Sequence, residues 1–275
     1  MNRVWLITGA NSGFGRAIAE AAVAAGDVAV ATARRVASLD DLRAAHPGQV
    51  DVLPLDVTDA SGIDAAVRDV ISRHGRIDVL VNNAGRTHVG AAEETTDAEL
   101  RDLFEVHVFG PAAITRAVLP HMRSRRSGAI VQISSMGGQL SFAGFAAYSA
   151  TKFALEGMSE ALADEVRPLG IKVLIVEPGA FRTGLFGKHS ASTPIPDYAD
   201  SAGRTRQMIE TSAGTQPGDP AKAATAILTA LDAPDTPLRL PLGDDAVDAI
   251  LSHLDAVRTD IHAWEKLARD TRLAD

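Results

Sequence analysis

No cysteine occurs among the 275 residues, which removes disulfides, thiolate nucleophiles and cysteine-held metals at once. Aromatics are scarce too, at 4% of a chain that is 46% hydrophobic, so the core must be built from Ala, Val, Leu and Ile. Only two tyrosines are present. Nowhere do apolar residues run together for the roughly 18 positions that a membrane-spanning helix needs. The apolar run Val4-Trp5-Leu6-Ile7 is too short for a signal peptide and leads straight into glycines, so a cytoplasmic location is expected. Basic residues are outnumbered, 27 to 35, leaving a net charge of -8. Counterion release needs a basic face, so neither nucleic acid nor an anionic membrane is an expected partner. The seven histidines other than His107, which is discussed below, show no metal-ligand pairing with carboxylates or with each other, and no metal is expected.

What is present is an alternation. Short β-branched runs at 3–8, 28–32, 50–55, 79–81, 129–133, 172–176 and 238–240 predict strands. Ala-rich stretches between them predict helices, notably over 14–25, 98–122 and 148–166, with a closing amphipathic helix over 246–269. Repeated βα units imply a parallel sheet covered on both faces. The segment 181–220 breaks the rhythm, being rich in Gly, Ser, Thr and Pro without a sustained period. A loop of that length in a compact domain is usually functional, and a mobile substrate lid is expected there. With neither repeat nor linker, the chain reads as one domain over 1–275, with a C-terminal helical extension at 244–272.

After the first strand comes Thr8-Gly9-Ala10-Asn11-Ser12-Gly13-Phe14-Gly15, then a helix. A tight strand-to-helix turn needs residues free to take positive φ. Close approach of backbone to a pyrophosphate needs the absence of Cβ, and a helix N-terminus offers free N–H groups to the anion. Gly9, Gly13 and Gly15 meet these demands. Further along stand Asp56-Val57, Asn82-Asn83-Ala84-Gly85, Ser135, Tyr148-Ser149-Ala150-Thr151-Lys152, and Pro178-Gly179 followed by Thr183, each at the end of a predicted strand or the start of a helix. In this order and spacing, over residues 3–183, the chain resembles the short-chain dehydrogenase/reductase family, and its C-terminal pattern loosely resembles the 17β-hydroxysteroid-dehydrogenase-like branch. The resemblance implies a Rossmann-type, doubly wound, seven-stranded parallel sheet. It implies a nicotinamide cofactor held by Gly9, Asn11, Ser12, Gly13, Phe14, Gly15, Asp56, Val57, Asn83, Ala84, Gly85, Tyr148, Lys152, Pro178, Gly179 and Thr183. It also implies a homodimer or homotetramer through the helices over 98–122 and 148–166.

An NAD-binding unit of this kind ends its second strand on an acidic residue that holds the ribose 2′-hydroxyl. Here that slot is Ala33, followed by Arg34 and Arg35. A guanidinium can grip a 2′-phosphate that a carboxylate would repel, so NADP(H) is expected over NAD(H), through Arg34.

Tyr148 and Lys152 lie four residues apart on a helix and so project from one face. The ammonium, with the positive oxidised nicotinamide, is expected to lower the phenol's pKa and make Tyr148 the general acid/base. The resemblance assigns carbonyl polarisation to Ser135, thirteen residues earlier. Where the family normally has a fourth member, an asparagine, this chain has His107. Its imidazole either joins the proton relay or is a buried, satisfied histidine beside Leu103 and Phe104. Residue 111 is proline and has no N–H to give the His107 carbonyl, so a kink is expected there, eased by Gly110. Substrate contacts are expected from Phe181, Leu185, Phe186, Ile195, Met136, Leu140, Phe142, Phe145 and His88, a largely apolar set that suits an uncharged hydrophobic ketone or alcohol. Two other classes compete: a non-catalytic NADP(H)-sensing regulator on the same fold, against which the intact Ser135, Tyr148 and Lys152 argue, and a sugar-nucleotide epimerase or dehydratase, for which the chain is short.

Overall fold

The strands form where β-branched runs were read, and they join edge to edge in one sheet. In the computed structural model, which describes residues 2–273, nine strands and nine α-helices are assigned. The strands are β1 (Val4–Ile7), β2 (Val28–Ala33), β3 (Val50–Pro54), β4 (Val79–Asn82), β5 (His88–Val89), β6 (Gly128–Ile133), β7 (Ile171–Pro178), β8 (Ser190–Ala191) and β9 (Arg239–Leu242). Seven of them make one parallel sheet in the order β3-β2-β1-β4-β6-β7-β9, while β5 and β8 pair separately. Met1 and residues 274–275, part of the single domain expected over 1–275, lie outside the described residues.

Alternation within the strands sends side chains to two cores. Trp5, Ile7, Ala31, Val81 and Val131 pack beneath α1 (Gly13–Ala24) and α8 (Pro220–Asp232). Val4, Leu6, Val30, Leu80 and Ile130 pack beneath α3 (Ala60–His74), α5 (Gly110–Arg125) and α6 (Ala146–Val166). The small side chains on α1, such as Ala19 and Ala22, let that helix sit close to the sheet. The remaining helices are α2 (Asp40–Ala45), α4 (Asp97–Phe104), α7 (Ala202–Ser212) and α9 (Asp244–Arg269).

Two expectations need correction. The helix expected over 98–122 is two helices, α4 and α5, joined by one π turn over Glu105–Phe109. There Glu105 O accepts from Gly110 N, one residue further along than in an α-helix. Pro111 marks the fault, as its missing N–H predicts. Gly110 allows it, because a Cβ at that position would lie 2.6 Å from the Val57 carbonyl oxygen. Second, the segment 181–220 is not structureless. It contains α7, whose buried residues are only Ala202 and Ile209, too few to print a helical period in the sequence.

Candidate functional site

The C-terminal ends of β1, β4, β6 and β7 open into a cleft of about 1040 Å³. Its first wall is the turn after β1. Gly9 and Gly13 take φ of +64° and +57°, which glycine adopts without strain. A Cβ at Gly13 would come within 3.0 Å of Thr183, so bareness there keeps the cleft open. Gly15 does not line the cleft. It lies behind the turn, where a Cβ would sit 2.6 Å from Gly9 O, so only a bare Cα fits. The turn is clasped from β4. The Asn83 side chain donates to Thr8 O (2.8 Å) and Gly9 O (3.1 Å), while Thr8 Oγ1 accepts from the N–H groups of Asn83 (2.9 Å) and Ala84 (3.0 Å).

This wall fits a dinucleotide. Ser12, the residue before α1, makes no side-chain cap, so the N–H groups of the helix start keep no internal acceptor and face an opening. The Phe14 ring meets that of Phe181 across the rim, 5.1 Å apart and tilted by 56°. Beyond the turn, Ala33 offers no carboxylate and Arg34 lines the cleft, exposed and without an ion pair among the described residues. Asp56, Val57, Asn11, Ala84, Gly85, Pro178 and Gly179 also line it. The Asp56 carboxylate is held by Thr58, through its N–H (3.0 Å) and its hydroxyl (2.8 Å).

Ser135, Tyr148 and Lys152 meet on the cleft floor. Ser135 stands two residues beyond β6, and its hydroxyl oxygen accepts from Gly137 N at 3.0 Å while hydrogen-bonding the Tyr148 phenol. Lys152 is buried, and its ammonium donates to the Ile133 carbonyl at 2.9 Å, 5.7 Å from the centre of the Tyr148 ring. Burial pushes the Tyr148 phenol above its ordinary value, with the Ser135 hydrogen bond opposing. Burial likewise brings Lys152 down to about 8, with the Glu156 carboxylate opposing. The expected lowering of the phenol by Lys152 is therefore not met in the protein alone. Both groups are driven toward their neutral forms because the site is desolvated before any ligand charge enters it.

His107 is buried on the π turn with both ring nitrogens engaged. Nε2 accepts from Arg86 N at 3.1 Å. Nδ1 lies 2.8 Å from Thr151 Oγ1, whose own proton goes to the Tyr148 carbonyl at 2.7 Å. Thr151 can therefore only accept, which makes the imidazole the neutral Nδ1–H tautomer. Burial, with Lys152 and Arg86 adding to it, holds its pKa well below the ordinary histidine value. Its ring stands edge-on to Tyr148 at 5.7 Å.

Of the expected substrate contacts, Met136, Phe142, Phe145, Phe181, Leu185 and Phe186 line the cleft, and α7 adds Met208. Leu140, Ile195 and His88 do not. His88 is buried instead, bonded to Ser190 Oγ and Ser192 Oγ at 2.9 Å each. It belongs to a latch over the segment expected to be a mobile lid. Glu94 accepts from Ile195 N (2.7 Å), Ala91 N (2.7 Å) and Arg206 (2.5 Å), and Arg206 also donates to Ser192 O (2.9 Å). These buried bonds tie residues 190–206 to the loop after β4.

Sequence reasoning missed a second buried cluster, below Lys152. Glu156 on α6 and Glu177 on β7 are both buried, close enough for each carboxyl to raise the other's cost of ionising. Gln139 donates to Glu177 at 2.8 Å, and Arg239 lies 3.3 Å from Glu156 and 3.5 Å from Glu177. Neither buried Glu156 carboxyl oxygen has a hydrogen-bond partner among the described residues, and burial raises this carboxyl above its ordinary value. Burial and the neighbouring carboxylate push Glu177 up to about 7. The spacing Lys152–Glu156, one helical turn, was the available signal.

Comparison with known proteins gives the same family throughout. The family model for short chain dehydrogenase matches residues 3–193. A 3-ketodihydrosphingosine reductase from Bacteroides thetaiotaomicron is 41% identical over 211 residues, 76% of each chain. The oxidoreductase BOA17 of Botryotinia fuckeliana is 35% identical over 271 residues, 98% of each. The crystal structure of a short-chain dehydrogenase from Streptomyces avermitilis superposes with a TM-score of 0.94 at 65% identity, covering 98% of both chains. Solved structures of this fold hold either nicotinamide: a metagenomic short-chain oxidoreductase in complex with NADP (29% identity, 87% of this chain and 96% of that one, TM-score 0.69) and a 3-ketoacyl-(acyl-carrier-protein) reductase from Brucella melitensis complexed with NADH (27%, 87% and 96%, TM-score 0.75). The chain belongs to the short-chain dehydrogenase/reductase family, oxidoreductases that act on CH–OH donors with a nicotinamide cofactor.

Proposed function

We propose that this enzyme interconverts an uncharged, largely apolar ketone and its secondary alcohol, with NADP(H) preferred over NAD(H). The observation that carries the reading is the meeting of the Ser135 hydroxyl, the Tyr148 phenol and the Lys152 ammonium on the floor of a cleft whose far end has a bare helix N-terminus and Arg34. The nicotinamide, when bound, supplies or takes the hydride at the carbinol carbon. Ser135 donates to the carbonyl oxygen and orients it. Tyr148, protonated at neutral pH, gives its proton to that oxygen as negative charge develops, or takes it back in the oxidative direction. Lys152 binds the nicotinamide ribose and supplies the positive charge beside the phenolate left behind. Asn11, Ser12, Gly13 and the α1 N-terminus receive the pyrophosphate, and Arg34 the 2′-phosphate.

Substrate class follows from the walls. Met136, Phe142, Phe145, Leu185, Phe186 and Met208 give the reacting end an apolar surround. The 41% identical relative is named for a ketone reductase, which fits a ketone with a long apolar body. The test is NADPH oxidation with aryl, alicyclic and long-chain ketones, run beside binding measurements for both cofactors. NADPH should bind more tightly than NADH, and Arg34→Ala should remove about 10- to 150-fold of that preference, the worth of a charged hydrogen bond of about 1.5–3 kcal/mol. Equal affinities in the unmutated protein would overturn the cofactor assignment, and inertness toward every ketone would overturn the substrate class.

A further inference from the structure

One buried acid on the catalytic helix has no part in the chemistry described so far. Lys152 and Glu156 stand four residues apart on α6, so their side chains leave the same face about one turn apart. Both are buried, at 6% and 4% exposure. Charged side chains are almost never buried this far unless they are paired. Yet Lys152 enters no salt bridge among the described residues, and its ammonium donates to the Ile133 carbonyl, which carries no charge.

The surroundings of Glu156 are shaped to admit its side chain. Gly138 belongs to the turn Met136–Gly138, which also holds Ser135 in place. A Cβ at Gly138 would lie 2.8 Å from Glu156 Cγ and 3.0 Å from Glu156 Oε1, so the bare Cα leaves the room that the carboxyl fills. The carboxyl therefore lies between the helix that carries Lys152 and the turn that presents Ser135. It does not serve the fold through hydrogen bonds, because neither oxygen has a partner among the described residues. A neutral residue of the same shape would cost less to bury, so stability alone does not call for an acid here.

The charges that face the pair nearly balance. Arg239 on β9 lies 3.3 Å from Glu156 and 3.5 Å from Glu177 on β7, and it pairs at 2.8 Å with the exposed Glu160 one turn further along α6. The segment after β6 contributes only the uncharged Ser134 and Gln139. Beyond Lys152 stand the Tyr148 ring and the neutral His107. Burial works against the charge on Lys152, and Glu156 is the group that opposes it. We propose that Glu156 is a positioning residue for the reaction, its carboxylate being the buried counter-charge that holds the Lys152 ammonium in its charged form beside the phenol. The inference rests on the role given to Lys152 above. With a midpoint of about 8, Lys152 is roughly nine-tenths charged at pH 7, and a fall of one unit would leave about half.

Only five lysines occur in the chain, so Lys152 can be read directly by NMR. With an isotopic label at lysine Cε, the Lys152 signal, identified by its loss in Lys152→Arg, should titrate near pH 8. In Glu156→Gln, which keeps the shape, the midpoint should fall by about one pH unit or more, the worth of an opposite charge at this range. The ratio of turnover at pH 8 to turnover at pH 6 should fall several-fold with it. The melting temperature at pH 8 should not drop, because one charge fewer is buried. Glu177→Gln removes the other carboxyl and should leave the Lys152 midpoint without such a fall, which keeps the proposal testable even if Glu156→Gln does not fold. The titration needs no substrate, so a wrong ketone class leaves it untouched. An unmoved midpoint in Glu156→Gln, a fall of that size in Glu177→Gln, or a loss of turnover uniform across pH would overturn the proposal.

Discussion

His107 links three pieces of backbone that sequence proximity does not bring together. Its imidazole receives the Arg86 N–H and gives its own proton to Thr151, which in turn holds the carbonyl of Tyr148. The ring therefore fixes the first turn of α6 against the loop that follows Gly85, and with it the direction of the phenol. A neutral ring with both nitrogens in use is a poor proton carrier, so we assign it a positioning role. His107→Asn should keep turnover within about tenfold near neutral pH, at a stability cost of about 1–3 kcal/mol for the buried partners left unsatisfied. Thr151→Val should lower kcat more than it changes NADPH binding, because it frees the Tyr148 carbonyl without touching the cofactor wall. Loss of all turnover in His107→Asn, with folding and NADPH binding intact, would make the imidazole itself the relay. Tyr148 and Lys152 were legible in the sequence because they stand one helical turn apart, whereas Ser135 was reached only through the family resemblance. The partners of His107 lie 21 and 44 residues away and leave no such mark.

Among the elements, the strands of the main sheet were legible because each needs only a short β-branched run. Helix continuity was less so: Pro111 announced the fault before α5, but its form as a π turn depends on how closely Gly110 approaches Val57. Helix α7 was invisible because its polar side chains bond to other loops, Thr205 to the Ala143 carbonyl and Arg206 to Glu94, rather than burying an apolar stripe. The Glu156–Glu177 pair joins α6 to β7 beneath the catalytic floor, and it has a pH signature. A carboxyl raised from its ordinary value to about 7 binds its proton more tightly in the folded than in the unfolded state. Its stabilising contribution is thus complete below about 4.5 and is lost as the pH rises through about 7. Glu177→Gln has no charge to bury and can still accept from Gln139. The variant should melt above the unmutated protein at pH 8, by up to about 3 kcal/mol in stability, and the gap should narrow toward pH 5. A gap that widened toward acid would reverse the assignment.

At the scale of the molecule, a parallel sheet gathers its functional loops where the strands end, at the crevice beside β1 and β4. Glycines occupy the β1 exit, Asn83 clasps that turn from β4, Ser135 follows β6, and Pro178-Gly179 closes β7. Each motif was readable singly, and the sheet order makes them neighbours. The apolar wall contributed by residues 181–212 was readable only as composition, because its placement depends on buried contacts to His88 and Glu94. The chemistry turns on Tyr148 transferring the proton within this cleft. Tyr148→Phe keeps the ring and its packing while removing the hydroxyl, so the decisive measurement is NADPH affinity and ketone-dependent NADPH oxidation in that variant. The expected result is affinity within a few-fold of the unmutated protein and turnover lower by at least about a hundredfold. Turnover persisting within a few-fold would contradict it.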